Sequence, residues 1–128
     1  MTNTNMFTRI IFLVDSNNAS ADIMINHIER YHPTCKVKRF ASGEDMIQMI
    51  HIKPHLVIID YQLDSRKKGA MNAAQIMDKI KSLGLDIPVV FVSGVQDIGS
   101  AMSMMEKGAK DYIFKTDNLL KEIDEAIW

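Results

Sequence analysis

The sequence predicts an α/β protein, a doubly wound parallel sheet of five strands with five helices. Three observations lead there. Short apolar runs recur along the chain and alternate with segments of helical period, the pattern of successive βα units. The run Leu56 to Ile59 has no polar break, which is how a strand buried on both faces reads, and parallel sheets covered by helices bury strands in that way. The connections between the segments are short, so neighbouring units pack into one sheet.

Each element has its own signal. Arg9 to Val14 reads as the first strand, and after it Ala21, Met24, Ile25 and Ile28 fall at the i, i+3, i+4, i+7 spacing of one helical face. Cys35 to Phe40 is dotted with charge and suits an edge strand. Ser42 to Asp45, SGED, has the S-x-x-D form of a helix N-terminus, and that helix should end before Pro54. Leu56 to Ile59 is the third strand and closes on Asp60. A polar loop leads to a helix with Ala73, Ala74, Met77 and Ile80 inward, stopped near Gly84. Pro88 opens PVVFVS, the fourth strand. The next helix runs roughly from Ile98 to Lys107 and ends at Gly108, whose place suits a helix cap. On it Met102 and Met105 read as inward, leaving Ala101 and Met104 as an outward, adaptable contact patch. DYIFK is the fifth strand, followed by a helix using Leu119, Leu120, Ile123 and Ile127.

Composition narrows the setting. At 128 residues, 47% of them hydrophobic, the whole chain reads as one domain, with its core from about residue 9 to 127. A net charge of −1 offers no electrostatic attraction for nucleic acid or an anionic membrane, so neither is expected as a partner. The single cysteine, Cys35, has no partner for an internal disulfide and reads as a small apolar residue at the start of a strand. Ile10 to Val14 is too short, and too soon ended by Asp15, to be a signal-peptide core or a membrane span. A reducing cytoplasm is the expected location. The histidines His27, His32, His51 and His55 lack ligand spacing and read as surface or satisfied-core residues.

The chemistry gathers at strand ends. Ligands of open α/β sheets bind outside the carboxyl ends of the strands, and Asp15, Asp60, Ser93 and Lys115 each close a different strand. Two carboxylates, a hydroxyl and an ammonium are the parts of a phosphoryl-transfer site. A carboxylate can act as nucleophile and carry phosphate, a divalent ion can neutralise phosphoryl oxygens, and the lysine and hydroxyl can stabilise the new anion.

These residues, in this order, resemble the receiver domain of two-component response regulators, over about Arg9 to Ile127. The resemblance implies the flavodoxin-like receiver topology. It implies that Asp60, in LVIIDYQL, is the phosphoacceptor, taking a phosphoryl group from a sensor histidine kinase or phosphotransfer protein. Ser93 in VVFVSG matches the family's hydroxyl residue, and Tyr112 and Lys115 in GAKDYIFK match its aromatic switch residue and its lysine. Asp15 matches the first of two adjacent acids, and Gln62 stands where a backbone carbonyl is offered to Mg2+. The family is a signalling domain and no enzyme beyond its own phosphotransfer and dephosphorylation. Phosphate would draw Ser93 inward, Tyr112 would rotate into the vacated space, and an output domain or protein would read the fourth helix, fifth strand and fifth helix. Trp128 follows directly on the last helix, and no output domain is expected within these residues.

Three departures bear on that expectation. Ser16 replaces the second acid, and a neutral hydroxyl is a poor ligand for a hard cation, so magnesium binding should be weakened. The loop after Asp60 is longer than usual, carries Arg66, Lys67 and Lys68, and reads as a solvated loop tip. Thr116 replaces a proline that commonly follows the lysine and is usually cis, which allows an ordinary trans bond. A phosphatase using a strand-end Asp needs a second Asp two residues on, where Asn17 and Gln62 stand instead. A flavin binder would wrap phosphate with its first loop, for which DSNNAS is a poor, glycine-free candidate. The competing reading is a receiver-like module that works through protein contacts alone.

Overall fold

The structure, a computed structural model, describes residues 8–63 and 69–128. Its elements are β1 (Arg9–Val14), α1 (Asn18–Tyr31), β2 (Cys35–Phe40), α2 (Gly43–Met49), a 3-10 turn (Ile50–Ile52), β3 (Leu56–Asp60), α3 (Ala73–Ser82), β4 (Val89–Ser93), α4 (Ile98–Glu106), β5 (Asp111–Phe114) and α5 (Leu119–Ile127). The strands form one parallel sheet in the order β2-β1-β3-β4-β5. This is the doubly wound arrangement expected.

Alternation along the central strands builds two cores. Phe12, Val14, Val57, Ile59, Val89 and Phe91 face α2, α3 and α4, where Met46, Ile76, Met77, Ile80 and Met104 meet them. Ile11, Leu13, Leu56, Ile58, Val90 and Val92 face the other way, against Ala21, Met24 and Ile28 of α1 and Ile123, Ala126 and Ile127 of α5. Removing each such side chain from water contributes about 1.5–3 kcal/mol. Cys35 is buried in the second core, and that burial pushes its thiol pKa up. β2 sits at an edge with Lys36 and Lys38 exposed, which blunts that edge against further strand pairing.

Side-chain oxygens start four of the helices. Asn17 caps α1 by accepting the Ser20 N–H, Ser42 caps α2 through the Asp45 N–H, and Asp97 caps α4 through Gly99 and Ser100. Asn72 and Gln75 form a reciprocal capping box at α3. Such caps are worth about 1 kcal/mol apiece. Gly84 and Gly108 close α3 and α4 at φ +71° and +100°, conformations that side-chain-bearing residues resist.

The phase of α4 differs from the expectation. Met104 is buried at 2% exposure and Ala101 is half-buried, whereas Met102 and Met105 are 59% and 45% exposed. With methionines at three of four positions, apolar periodicity leaves the phase open. It is set by the exit of the helix, where the Ala109 N–H donates to the Met104 carbonyl and brings Met104 onto Phe91, Ala109 and Tyr112. The outward stripe is therefore Ile98, Met102 and Met105, one helical face of exposed apolar side chains, with exposed Val95 in the turn before it. Smaller shifts of the same kind put Ile76 inside in place of half-buried Ala74, and bury Ala126 while Leu119 and Leu120 stay half-buried.

Candidate functional site

Strand order reverses between β1 and β3, since β1 pairs with β2 on one side and β3 on the other. The crevice beyond their carboxyl ends is therefore flanked by Asp15, directly after β1, and Asp60, the last residue of β3. Ser93 ends β4, and Lys115 follows β5 and donates its backbone N–H to the Ser93 carbonyl. All four strand-end residues converge on one rim. Among the described residues, the buried polar or charged side chains are Asp15, Asp60 and Ser93, at 0%, 4% and 0% exposure.

Both acids use the same local device. Asp15 Oδ1 accepts the Asn17 N–H and Asp60 Oδ1 accepts the Gln62 N–H, each at 2.9 Å, so one oxygen of each carboxylate closes the turn that leaves its strand. The second oxygens have no such work. Asp15 Oδ2 is buried without a hydrogen-bond partner, and Asp60 Oδ2 has the Lys115 ammonium at 3.4 Å. Lys115 Nζ also donates to Ser20 Oγ at 3.0 Å. Burial pushes the Asp60 carboxyl above the ordinary carboxylate range; the Gln62 N–H and the Lys115 ammonium pull it back, and the Asp15 carboxylate beside it pushes it up again. The ammonium thus meets Asp60, which has a second carboxylate beside it.

Ser93 Oγ donates to the Val95 carbonyl at 2.9 Å and accepts from the Val95 N–H at 3.1 Å and Gln62 Nε2 at 2.7 Å. Tyr112 lies with its ring inward, packed on Tyr61, Phe91 and Phe114. Its hydroxyl is buried without a well-formed hydrogen bond; burial pushes the phenol pKa up, and the neighbouring Ser93 hydroxyl offsets part of this. The described residues contain no cis peptide bond, so Lys115–Thr116 is trans as expected.

The donor set fits a hard divalent cation. Two carboxylates, one of them with an orphaned buried oxygen, carry more negative charge than one ammonium balances, and a magnesium-like ion that keeps several waters needs few protein oxygens. The described residues nevertheless contain no group of three acidic, histidine or cysteine side chains able to hold a metal. Ser16 is exposed at the third place, and Asn17 Oδ1 is committed to capping α1. Asp64, Arg66, Lys67 and Lys68 lie outside the described residues.

Three contacts had no signature in the sequence. Ser20 holds Lys115 from 95 residues away, Gln62 bridges to Ser93 and Gly94, and the Arg39 guanidinium donates to the Asp15 carbonyl at 2.8 and 3.1 Å and to Asn18 Oδ1 at 2.7 Å. The histidines behave as expected. His27 and His32 both bond Asp124, while His51 and His55 are exposed, His55 Nδ1 accepting the Ile10 N–H. Trp128 lies under the Arg9 guanidinium, 4.6 Å away, at the amino end of the sheet and far from this rim. No helix of the described residues is long and apolar enough to cross a membrane.

Comparison with known proteins gives a consistent answer. The family model described as the response regulator receiver domain matches residues 11–126. The response regulator protein TmoT of Ectopseudomonas mendocina is 25% identical over 92% of this chain and 52% of its own length. The transcriptional regulatory protein CssR of Bacillus subtilis is 27% identical over 82% of this chain and 44% of its own. The chain thus spans about half the length of these relatives. Among solved structures, the receiver domain of NtrX from Brucella abortus superposes with a TM-score of 0.77 at 24% identity, covering 91% of this chain and 97% of that one. The beryllofluoride-activated DrrB receiver domain gives 0.75 at 23% identity, with 94% and 97% covered.

Proposed function

The chain belongs to the response regulator receiver family of two-component signalling, and from that premise we propose that it accepts a phosphoryl group on Asp60 and passes the change to a protein-binding face. The observation that carries this is the burial of Asp15, Asp60 and Ser93 together at one crevice, with the Lys115 ammonium 3.4 Å from Asp60. Buried carboxylates cost stability unless they are compensated, and their collection at a ligand-binding rim is a sign of chemistry.

In the proposed step an Asp60 carboxylate oxygen attacks phosphorus, and the new O–P bond forms as the P–N bond of a phosphohistidine breaks. The bonding electron pair leaves with the imidazole nitrogen of a sensor kinase or phosphotransfer protein. Lys115 stands beside Asp60 Oδ2 to balance the incoming negative charge, and Ser93 supplies a hydroxyl to a phosphoryl oxygen. Asp15, Asp60, the Gln62 backbone carbonyl and the Ser16 hydroxyl would hold magnesium, whose chemistry is to neutralise phosphoryl oxygens. Movement of Ser93 toward the new anion would change the surroundings of Tyr112, which packs on Met104 of α4 within the same core. The face of α4, β5 and α5, with exposed Ile98, Met102 and Met105, is where an output domain or protein would read it. We read residues 1–128 as one cytoplasmic receiver domain.

Ser16 supports a second reading, a receiver-like module that acts through protein contacts without phosphorylation. Intact-mass measurement after a small phosphodonor with magnesium separates the two. Gain of one phosphoryl group by the wild type, and none by Asp60→Asn, supports phosphoacceptance; an unlabelled wild type favours the contact module, and labelling that survives the substitution removes Asp60 from its role.

A further inference from the structure

The Gln62 side chain spans the mouth of the crevice with both ends of its amide in use. Nε2 donates to Ser93 Oγ at 2.7 Å and Oε1 accepts the Gly94 N–H at 2.9 Å, joining the turn after β3 to the turn after β4. The orientation of the amide is dictated by its partners, because a backbone N–H can only donate and must face the amide oxygen. Gln62 is exposed, so packing does not demand this conformation.

The bridge saturates the end of β4. The Ser93 hydroxyl hydrogen goes to the Val95 carbonyl, and its oxygen takes the Val95 N–H and the Gln62 amide. The Gly94 N–H is taken by Gln62. Yet Ser93 ends the strand next to Asp60, in the register Asp60↔Val92, and Gly94 opens the turn after it, so both donors stand beside the crevice in which an anion on Asp60 would form. We propose that Gln62 is a latch over the acceptor site. Its neutral amide oxygen stands in for a phosphoryl oxygen on the Gly94 N–H, its amide nitrogen holds Ser93 in the resting position, and both contacts must release before an oxyanion is bound. This rests on the reading of Asp60 as phosphoacceptor and adds a control on it.

The physical logic is competition. An anionic oxygen makes a stronger hydrogen bond than an amide oxygen, so a phosphoryl group can displace the latch once it is in place. Before then, only the open fraction of molecules can receive it, and apparent affinity falls in proportion to that fraction. A latch closed about nine-tenths of the time weakens binding about tenfold. Gln62 is in these terms a positioning residue, acting through Ser93 and Gly94.

The test uses the full chain with magnesium, as wild type, Gln62→Ala and the unbranched Gln62→Met. Beryllofluoride affinity is followed by NMR at the Gly94 amide, labelling by acetyl phosphate is followed by intact mass, and Gly94 hydrogen exchange is measured without either reagent. The latch predicts faster Gly94 exchange in both variants, about tenfold tighter beryllofluoride binding and correspondingly faster labelling on Asp60, with unchanged thermal midpoints. Wild type that labels on Asp60 while both variants bind and label no better overturns the latch and leaves the acceptor reading standing. Variants that label where the wild type does not support it strongly. If no form takes phosphoryl or beryllofluoride, the acceptor reading fails and the latch falls with it.

Discussion

Two polar clusters in this molecule are built from similar groups and have opposite electrostatic outcomes. Between α1 and α5, a single carboxylate oxygen, Asp124 Oδ1, is met by two imidazoles, His27 Nε2 at 2.9 Å and His32 Nε2 at 2.8 Å. There the two histidine donors outweigh the cost of burial and hold the Asp124 carboxyl below the ordinary carboxylate range. At the carboxyl end of the sheet, the Lys115 ammonium pairs with Asp60, an oxygen of the neighbouring Asp15 has no partner at all, and burial drives the Asp60 carboxyl upward. Donor supply separates a clasp from a site. A cluster with its acceptors satisfied needs nothing further, whereas one that is short of positive charge is completed by something the chain does not carry.

The largest test of that contrast is Asp60→Asn. It should abolish phosphoryl labelling altogether and, in metal-free protein at neutral pH, raise unfolding free energy in urea by about 1–2 kcal/mol by removing one of two abutting charges. A destabilised variant would mean that Asp60 is held as favourably as Asp124, and the contrast would collapse. Ser16→Asp should push the other way. A third acid should tighten magnesium binding about tenfold, roughly 1.4 kcal/mol, and speed labelling by a small donor. Titration followed by NMR shifts reads this more directly than fluorescence of the distant Trp128. Unchanged affinity would show that another group already completes the ligand set.

The smallest effect belongs to the clasp. Asp124→Asn should cost under about 1 kcal/mol, because the carboxylate is 38% exposed and solvent screens much of its interaction, and it should leave labelling unchanged. The pH dependences of the two clusters should carry opposite signs. Asp60 has a folded pKa above its unfolded one, so its stabilising contribution is complete below the unfolded value and is lost as pH rises through the folded value. Asp124 has a folded pKa below its unfolded one, so its contribution is present above the unfolded value and is lost as pH falls through the folded value. Urea midpoints of the metal-free wild type and the two Asn variants across pH 3 to 7 separate these slopes; parallel curves would refute the assignment of opposite shifts.

What could be read from the chain alone is what depends on neighbours in sequence. β1 and β2 run between the residues anticipated, Ser42 caps α2, Gly84 and Gly108 close their helices, and Asp15, Asp60, Ser93 and Lys115 meet on one rim. A strand's period and its end are local, and in a parallel sheet every strand end points to the same side, so four strand-end residues had to share a rim. The phase of α4 needed the tertiary structure, because Met102, Met104 and Met105 are interchangeable until Phe91, Ala109 and Tyr112 choose among them. So did the inward Tyr112, the Gln62 bridge, the hold of Arg39 on the Asp15 carbonyl and the His27–Asp124–His32 clasp. Asp124 lies 97 and 92 residues from its histidines, and Gln62 lies 31 from Ser93. Such pairings follow from which helices share a face and which turns adjoin, and these are properties of the assembled sheet that no local spacing encodes.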